Sequence, residues 1–395
     1  MHIFLRGVHV LILSIIFYPI AEILIETGIG EQLYAQNKSM HMDLQFEPKT
    51  YMVYRAHQPI TIDGNIDKQE WNQVPWSEPF EAISGGPRYF EDKPSRIKML
   101  WDDDYLYVAA ELTEPDLWAT MTKRNSPLYN DNAFEIFIDP DGDTHNYFEF
   151  EINALGTIWD IYLNKPYRDG GIILSDWNLL TEDETAVKTY GTVNKPGERD
   201  EKWTVEVAVP IEHMLSLHTG SGKNNVLPGD YWKVNFARSH RKLVEKNRQY
   251  VLANDERTGE VLPPVYDTWT SQSLINMHYP EMWGVMIFSE KQPEDVSEKK
   301  LPKVPEAEHI KWYLRQLYYA MHSYQQQEGY FTRRIADLEL ELENVEISSP
   351  GNDKASVLLD NTVVEITQTQ FEIVTKTNDG ALWHINHEGR VWEQR

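Results

Sequence analysis

From about residue 47 to residue 290 the chain is written in short runs that alternate apolar and polar side chains, broken by clusters of Gly, Pro, Asn and Asp. A period of two is the period of a strand, because successive side chains leave opposite faces. The runs include ITIDGNID (60–67), RIKMLWDDDYLYVAAEL (96–112), AFEIFID (133–139), YFEFEIN (147–153), TIWDIYL (157–163), KWTVEVAVP (202–210), YWKVNFARS (231–239) and MWGVMIFSE (282–290). DDDYLYV places a turn between two of them, which predicts a hairpin. No strand–helix–strand alternation is written here, so a parallel sheet is not expected. The fold predicted for 47–290 is mainly β, an antiparallel β-sandwich.

The pattern changes after that. KQPEDVSEKKLPKVPEAE (291–308) is rich in Pro and charge and reads as a linker. From Glu306 to about Leu342, Ile310, Leu314, Leu317, Met321 and Tyr324 recur at spacings of three or four, a helical period that GYF (329–331) interrupts. Short alternating runs then follow, separated by PGND, NDG and HEG. These predict a small antiparallel sheet, and 309–395 is expected to be a separate α+β C-terminal module.

At the other end, Arg6 precedes an apolar stretch, VHVLILSIIFYPIA (8–21), that Pro19 interrupts and Glu22 ends. It is too short for a good spanning helix, and Leu33-Tyr34-Ala35 resembles a small-residue cleavage site. Residues 1–35 are therefore expected to be a signal peptide, with an uncleaved membrane anchor as the alternative. Either way the working part is expected to be secreted, periplasmic or at the cell surface. The chain has no cysteine, which excludes disulfides, thiolate catalysis and Cys-ligated zinc. The formal net charge of −25 leaves no positive field for phosphate, so nucleic acid is not an expected partner.

The densest chemistry lies in DNAFEIFIDPDGDTHNYFEFEINALG (131–156). Strand parity puts Phe134, Ile136 and Ile138 on one face and Glu135, Phe137 and Asp139 on the other. In the next strand it separates Phe148, Phe150 and Ile152 from Tyr147, Glu149, Glu151 and Asn153. Pairing the apolar faces sets Glu135 roughly opposite Glu151. Facing carboxylates repel unless something polar or cationic lies between them. Solvent satisfies that requirement; so does a cleft holding hydroxyls, Arg or an ion. A glycosidase acid and nucleophile pair would also need two such carboxyls across the scissile bond. In the intervening loop Asp139, Asp141 and Asp143 alternate as calcium ligands do. Yet Gly142 stands fourth rather than sixth, and no Glu stands twelfth, so an EF-hand is excluded and only a looser oxygen site for calcium is left open. No paired-His metal motif, phosphate-binding Gly loop or nucleophile elbow is present.

Taken in order, IDGNIDKQEW (62–71), DDDYLYV (102–108), DNAFEIFID (131–139), NALG (153–156), WKVNFAR (232–238) and TWTSQSLINMHYPEMWGVMIF (268–288) resemble the pattern of carbohydrate-binding module family 9. The resemblance implies a sandwich of the immunoglobulin or DOMON-like kind that binds saccharides without cleaving them. It implies aromatic rings against the apolar face of a sugar, with acidic, amide and Arg side chains on its hydroxyls, and structural calcium in some members. Carried onto this chain, the expected ligand-binding residues are Trp101, Asp131, Glu135, Glu151, Asn153, Trp159, Arg238 and Trp269. Trp101 and Trp269 are the expected stacking platforms, Arg238 is the cation expected to meet Glu135 and Glu151, and Asp139, Asp141 and Asp143 are the candidate calcium ligands. The expected partner is a mono- or oligosaccharide or a polysaccharide end, in polysaccharide capture or catabolism. A membrane enters only through an uncleaved leader. DOMON relatives that hold b-type haem leave a redox module as an alternative, with His240, Met277 and His278 as its candidate ligands. The helix and sheet of the tail faintly resemble a pilin-like module, and its protein partner is not indicated.

Overall fold

The alternating runs do become strands, and their apolar faces meet across one interior. In chain order they are β1 (Thr50–Arg55), β2 (Glu81–Ala82), β3 (Ser95–Trp101), β4 (Tyr105–Thr113), β5 (Ala133–Asp139), β6 (Tyr147–Asn153), β7 (Ile158–Leu163), β8 (Ile173–Leu174), β9 (Thr185–Tyr190), β10 (Lys202–Pro210), β11 (Tyr231–His240), β12 (Leu243–Lys246), β13 (Gln249–Leu252), β14 (Val265–Thr268) and β15 (Gly284–Phe288). The computed structural model describes residues 44–394 apart from 176, 220–221, 297–299, 339, 341–345, 349–353 and 357–360. The leader expected at 1–35 lies outside the described residues. No described helix is long and apolar enough to cross a membrane.

Thirteen of these strands join in one sheet along the path β8-β7-β6-β5-β11-β15-β1-β3-β4-β10-β9, with β14 and β2 as a spur on β11, while β12 and β13 pair as a separate hairpin. The path curls, and its two halves face each other as a sandwich. Phe134, Ile136 and Ile138 of β5 and Phe148, Phe150 and Ile152 of β6 meet Ile97 and Met99 of β3, Val108 and Ala110 of β4, and Val205 and Val207 of β10. Each of these side chains is buried, and burying one is worth about 1.5–3 kcal/mol. Pairing is antiparallel except at β1, which runs parallel to both β15 and β3 and joins the two halves. That is the one departure from the all-antiparallel expectation. It costs nothing topologically, because the connections from β1 to either partner are long enough to cross over.

The IDG…W phrase has a structural purpose. Its segment covers the outer face of the β3–β4–β10 half, where Ile60, Ile66 and Trp71 pack on Leu100, Tyr107 and Ala208. The Glu206 carboxylate on β10 accepts from the backbone N–H groups of Asp63 and Gly64, from Lys68 and from Trp71 Nε1. Gly64 has φ +77°, and a Cβ there would lie 2.7 Å from the backbone of Val187, so no larger residue fits. In the predicted hairpin, Asp102 accepts from the N–H groups of Asp104 and Tyr105, an Asx turn that reverses the chain between β3 and β4.

The tail, expected to be an α+β module behind a linker, lies within the same compact unit as the sandwich, Leu44–Arg395. The long helix Glu306–Glu328 ends at Gly329, φ +82°. This is where GYF (329–331) was expected to interrupt the helical period, and the left-handed Gly closes the helix there. Its apolar stripe of Ile310, Leu314, Leu317 and Met321 packs on a four-stranded antiparallel sheet, β16 (Thr362–Ile366), β17 (Phe371–Lys376), β18 (Leu382–Asn386) and β19 (Val391–Gln394). Its other contacts run to the sandwich. Lys233 of β11 pairs with Glu308, and Lys311 donates to the carbonyls of Asp141 and Gly142. Arg168 and Tyr319 both bond the buried Glu281 carboxylate. These polar links are absent from any hydropathy pattern, which is why the sequence reads as two bodies.

Candidate functional site

The outward faces of β5, β6 and β7 do not reach solvent. The register places Glu135 opposite Glu151, Phe137 opposite Glu149, Glu151 opposite Trp159 and Glu149 opposite Ile161. Over this patch fold three covering segments. The turn before β5 brings Tyr129, a short helical turn after β7 brings Tyr167, and the loop before β15 brings Ile275 to His278. With Tyr266 of β14 they enclose a cleft of about 370 Å³ whose floor is Glu135, Glu149 and Glu151, a size suited to a small ligand. Its walls are aromatic. Tyr129 and Trp159 lie with ring centroids 6.3 Å apart, and Tyr167 meets His278 edge-on at 4.5 Å.

Three carboxylates side by side under aromatic walls are costly to ionise. Glu135, Glu149 and Glu151 are 2%, 5% and 1% exposed, and each keeps one oxygen without a hydrogen-bond partner. Burial pushes the Glu135 carboxyl well above the usual carboxylate range, and the Glu149 charge adds to this. Burial likewise raises Glu151, with Glu135 and Glu149 adding to the effect. Glu149 is pushed up to about 8 by burial, softened by the hydrogen bond it shares with Glu151. His278, whose Nδ1 lies 3.0 Å from the Tyr147 hydroxyl, is held down to about 3 by burial and the nearby Arg168. It is therefore neutral, and no residue lining the cleft offers a positive charge at neutral pH.

Of the residues expected to bind ligand, Glu135, Glu151 and Trp159 come together here. The others do not. Trp101 and Trp269 are each 1% exposed, sit in the core between the two halves, and do not line this cleft. Trp101 donates its Nε1 to the Ser289 carbonyl, and Trp269 is seated so close to Gly284 that a Cβ there would fall 2.3 Å from its ring. Arg238 pairs in register with Phe134, not with Glu135 or Glu151. It consequently points to the inner face, where it is fully buried and donates to Glu114, Ser95 Oγ and the Thr113 carbonyl. Asp131 and Asn153 shape the backbone beside the cleft. Asp131 accepts from Thr120 and from Met121 N–H, while Asn153 binds Asp131, the Met121 carbonyl and the N–H groups of Leu155 and Thr157. Glu149, Tyr129, Tyr167 and Tyr266 were not among the predicted ligand residues, and His278 was named only as a haem candidate. Glu149 shares the parity of Glu151 and could have been found. Tyr129, Tyr167 and His278 come from irregular segments that carry no period, and Tyr266 from the short strand β14.

The acidic loop has a different use. Asp139, Asp141 and Asp143 do bring one carboxylate oxygen each within 4.8 Å of one another. Yet every oxygen is already engaged. Asp139 accepts from the N–H groups of Gly142 and Thr144, Asp141 from those of Asp143 and Thr219, and Asp143 from His145 N–H and Arg390. Burial, with the neighbouring Asp charges, raises Asp139 well above the usual range. Oxygens already held by protein donors fit calcium poorly, and the loop docks the tail through Lys311 and Arg390. The haem set is not assembled either. His240 is fully buried and held by Asp267, and it does not line the cleft with Met277 and His278.

Comparison with known proteins bears on the segment that supplies β5, β6 and β7. Residues 62–222 match the model of the family described as carbohydrate family 9 binding domain-like. The chain is similar to the exoglucanase XynX of Acetivibrio thermocellus, 33% identical over 113 residues, which is 29% of this chain and 10% of that protein. It is also similar to the endo-1,4-beta-xylanase A of Thermotoga maritima, 33% identical over 88 residues, which is 22% of this chain and 8% of that protein. It thus spans about a tenth of the length of these curated relatives. Among solved structures, a family 9 carbohydrate-binding module from Caldicellulosiruptor kristjanssonii in complex with glucose covers 64% of this chain and all of its own, at 17% identity and a TM-score of 0.36. A score that low leaves the fold to be judged from the strand pattern itself. The motif series and the family model therefore agree on one segment: residues 62–222 are similar to the carbohydrate family 9 binding domain-like family.

Proposed function

We propose that this protein binds saccharides non-catalytically in the cleft floored by Glu135, Glu149 and Glu151. The observation that supports this reading is the pairing of aromatic walls with unpartnered carboxyl oxygens inside the matched family 9-like domain. Ring faces cover the apolar face of a pyranose, and carboxyls exchange hydrogen bonds with its hydroxyls. Export, in support of polysaccharide capture or catabolism, is part of the proposal and rests on the apolar 8–21 stretch. Titration calorimetry with glucose, cellobiose, xylobiose and longer oligosaccharides tests it. Heats fitting micromolar to millimolar affinity, about −4 to −8 kcal/mol, are expected. No heat with any of them, from folded protein, would reject the reading.

A second reading has one observation in its favour. Glu135 and Glu151 face each other on neighbouring strands, and both are desolvated, the environment in which a carboxylic acid stays protonated at neutral pH. Glycoside hydrolysis would use one as acid and the other as nucleophile or base. Turnover of chromogenic glycosides that vanishes in Glu135→Gln would support it, and no turnover across a broad panel removes it.

A further inference from the structure

The floor of the cleft has a charge problem that neutral sugars do not solve. Three carboxyl groups stand within one patch, and Glu135 Oε1, Glu149 Oε2 and Glu151 Oε2 are buried without a hydrogen-bond donor. Such atoms are rare in folded proteins and ask for an explanation. Among the described residues, none brings a cation to this floor. Arg238, the one predicted for this task, is on the opposite face with Glu114. Arg168 is spent on Glu281 and on the His278 carbonyl. The remaining lining is aromatic, aliphatic and amide. Aromatic faces attract cations, and carboxylates attract them more strongly.

We propose that the cleft is built for a saccharide bearing a free amino group, a 2-amino-2-deoxy sugar, whose ammonium is received by Glu135, Glu149 and Glu151. The inference rests on the saccharide-binding reading and sharpens it to a ligand class. The match is one of number as well as charge. An ammonium has three N–H donors and no acceptor, and the floor has three unpartnered acceptors. The apolar ring face of the same sugar then meets Trp159, Tyr129 and Tyr167, which stand over the carboxylates. A neutral hexose would fill the same volume but would leave the floor's carboxyls protonated, without the charge-assisted hydrogen bonds that an ammonium draws from them once they ionise. An N-acetylated sugar would be excluded on two counts, since it has no charge and carries an acetyl group where the carboxylates crowd.

The experiment is titration calorimetry of the full chain, at neutral pH, with three β-1,4 disaccharides: the fully deacetylated glucosamine dimer, its N-acetylated counterpart, and cellobiose. The glucosamine dimer is expected to bind at least about tenfold more tightly than either neutral dimer. That ratio should collapse towards one in Glu149→Gln and in Glu151→Gln, each first verified as folded by its thermal melt. Equal or tighter binding of cellobiose overturns the amino-sugar inference while leaving saccharide binding intact. Silence with all three dimers and with the neutral panel overturns both. Calcium chloride alone is titrated as well. Calcium heat that disappears in Glu149→Gln would mean that a metal ion neutralises the floor, which also overturns the inference.

Discussion

Buried carboxyls that hold protons must make the fold less stable as the pH rises. The Glu149 carboxyl moves from an ordinary 4.5 to about 8 in the folded protein. Its folded value is raised, so the folded state binds the proton more tightly than the unfolded state does. Its contribution is therefore complete below about 4.5 and is lost as the pH climbs through about 8. Each tenfold change in proton affinity is worth about 1.4 kcal/mol, so the cost by pH 9 is on the order of 4 kcal/mol, shared among three coupled carboxyls. The neighbours do not offset it. Burial keeps Tyr167 and Tyr266 neutral, and His278 is uncharged above about 3. Glu149→Gln keeps the shape and can still hydrogen-bond Glu151, but it no longer titrates. Urea unfolding of both proteins without ligand, at steps from pH 5 to 9, gives the difference directly. The variant should be close to wild type at the acid end and more stable by about 2–4 kcal/mol at the alkaline end. A difference that does not change with pH would refute the claim that these carboxyls are desolvated and hold protons.

Other consequences can be checked separately. Trp159→Ala should weaken saccharide binding about tenfold or more in calorimetry while the protein stays folded, because the ring is a wall of the cleft rather than part of the inter-sheet core. Arg238→Met leaves the buried Glu114 with Lys93 as its remaining cation, beside the Asn132 amide and the Asp116 N–H; thermal denaturation should show a loss of about 3 kcal/mol, with saccharide affinity retained by the folded fraction. Burial alone would raise the Glu281 carboxyl, but Arg168 and Arg315 outweigh it and hold the group down to about 2. Its stabilisation is therefore present above about 4.5 and lost as the pH falls through about 2. Glu281→Gln should cost about 3 kcal/mol at neutral pH and should loosen the tail, read as faster proteolysis within 306–328. Chelation with EDTA should leave the melting temperature unchanged, since the oxygens of Asp139, Asp141 and Asp143 are already satisfied by protein donors.

The strands were legible because alternation is a local property, and the Glu-bearing face of β5 and β6 followed from parity alone. Parity also held the correction for Arg238. In YWKVNFARS, Trp232, Val234, Phe236 and Arg238 fall on one side of the strand, and the first three are core. An Arg at that parity is an inner residue that must find a buried partner, which it does in Glu114. Trp101 follows Ile97 and Met99 at the same spacing and belongs to the core for the same reason. The burial of the Glu face was not legible. It is produced by Tyr129, Tyr167 and the loop before β15, which are distant in sequence and irregular in backbone. The same holds for the docked tail, which meets the sandwich through scattered apolar residues such as Leu274, Tyr279 and Met282 and through polar contacts such as Lys311 on the Asp141 and Gly142 carbonyls, none of them written as a local period.

A crystal structure of the protein soaked with a saccharide that binds in calorimetry tests the central claim most directly. The account predicts a sugar ring over Glu135, Glu149 and Glu151, flanked by Trp159 and Tyr129. Density elsewhere would contradict it, for example in the separate hollow near Trp76, Lys49 and Leu301, with the Glu floor left unvisited.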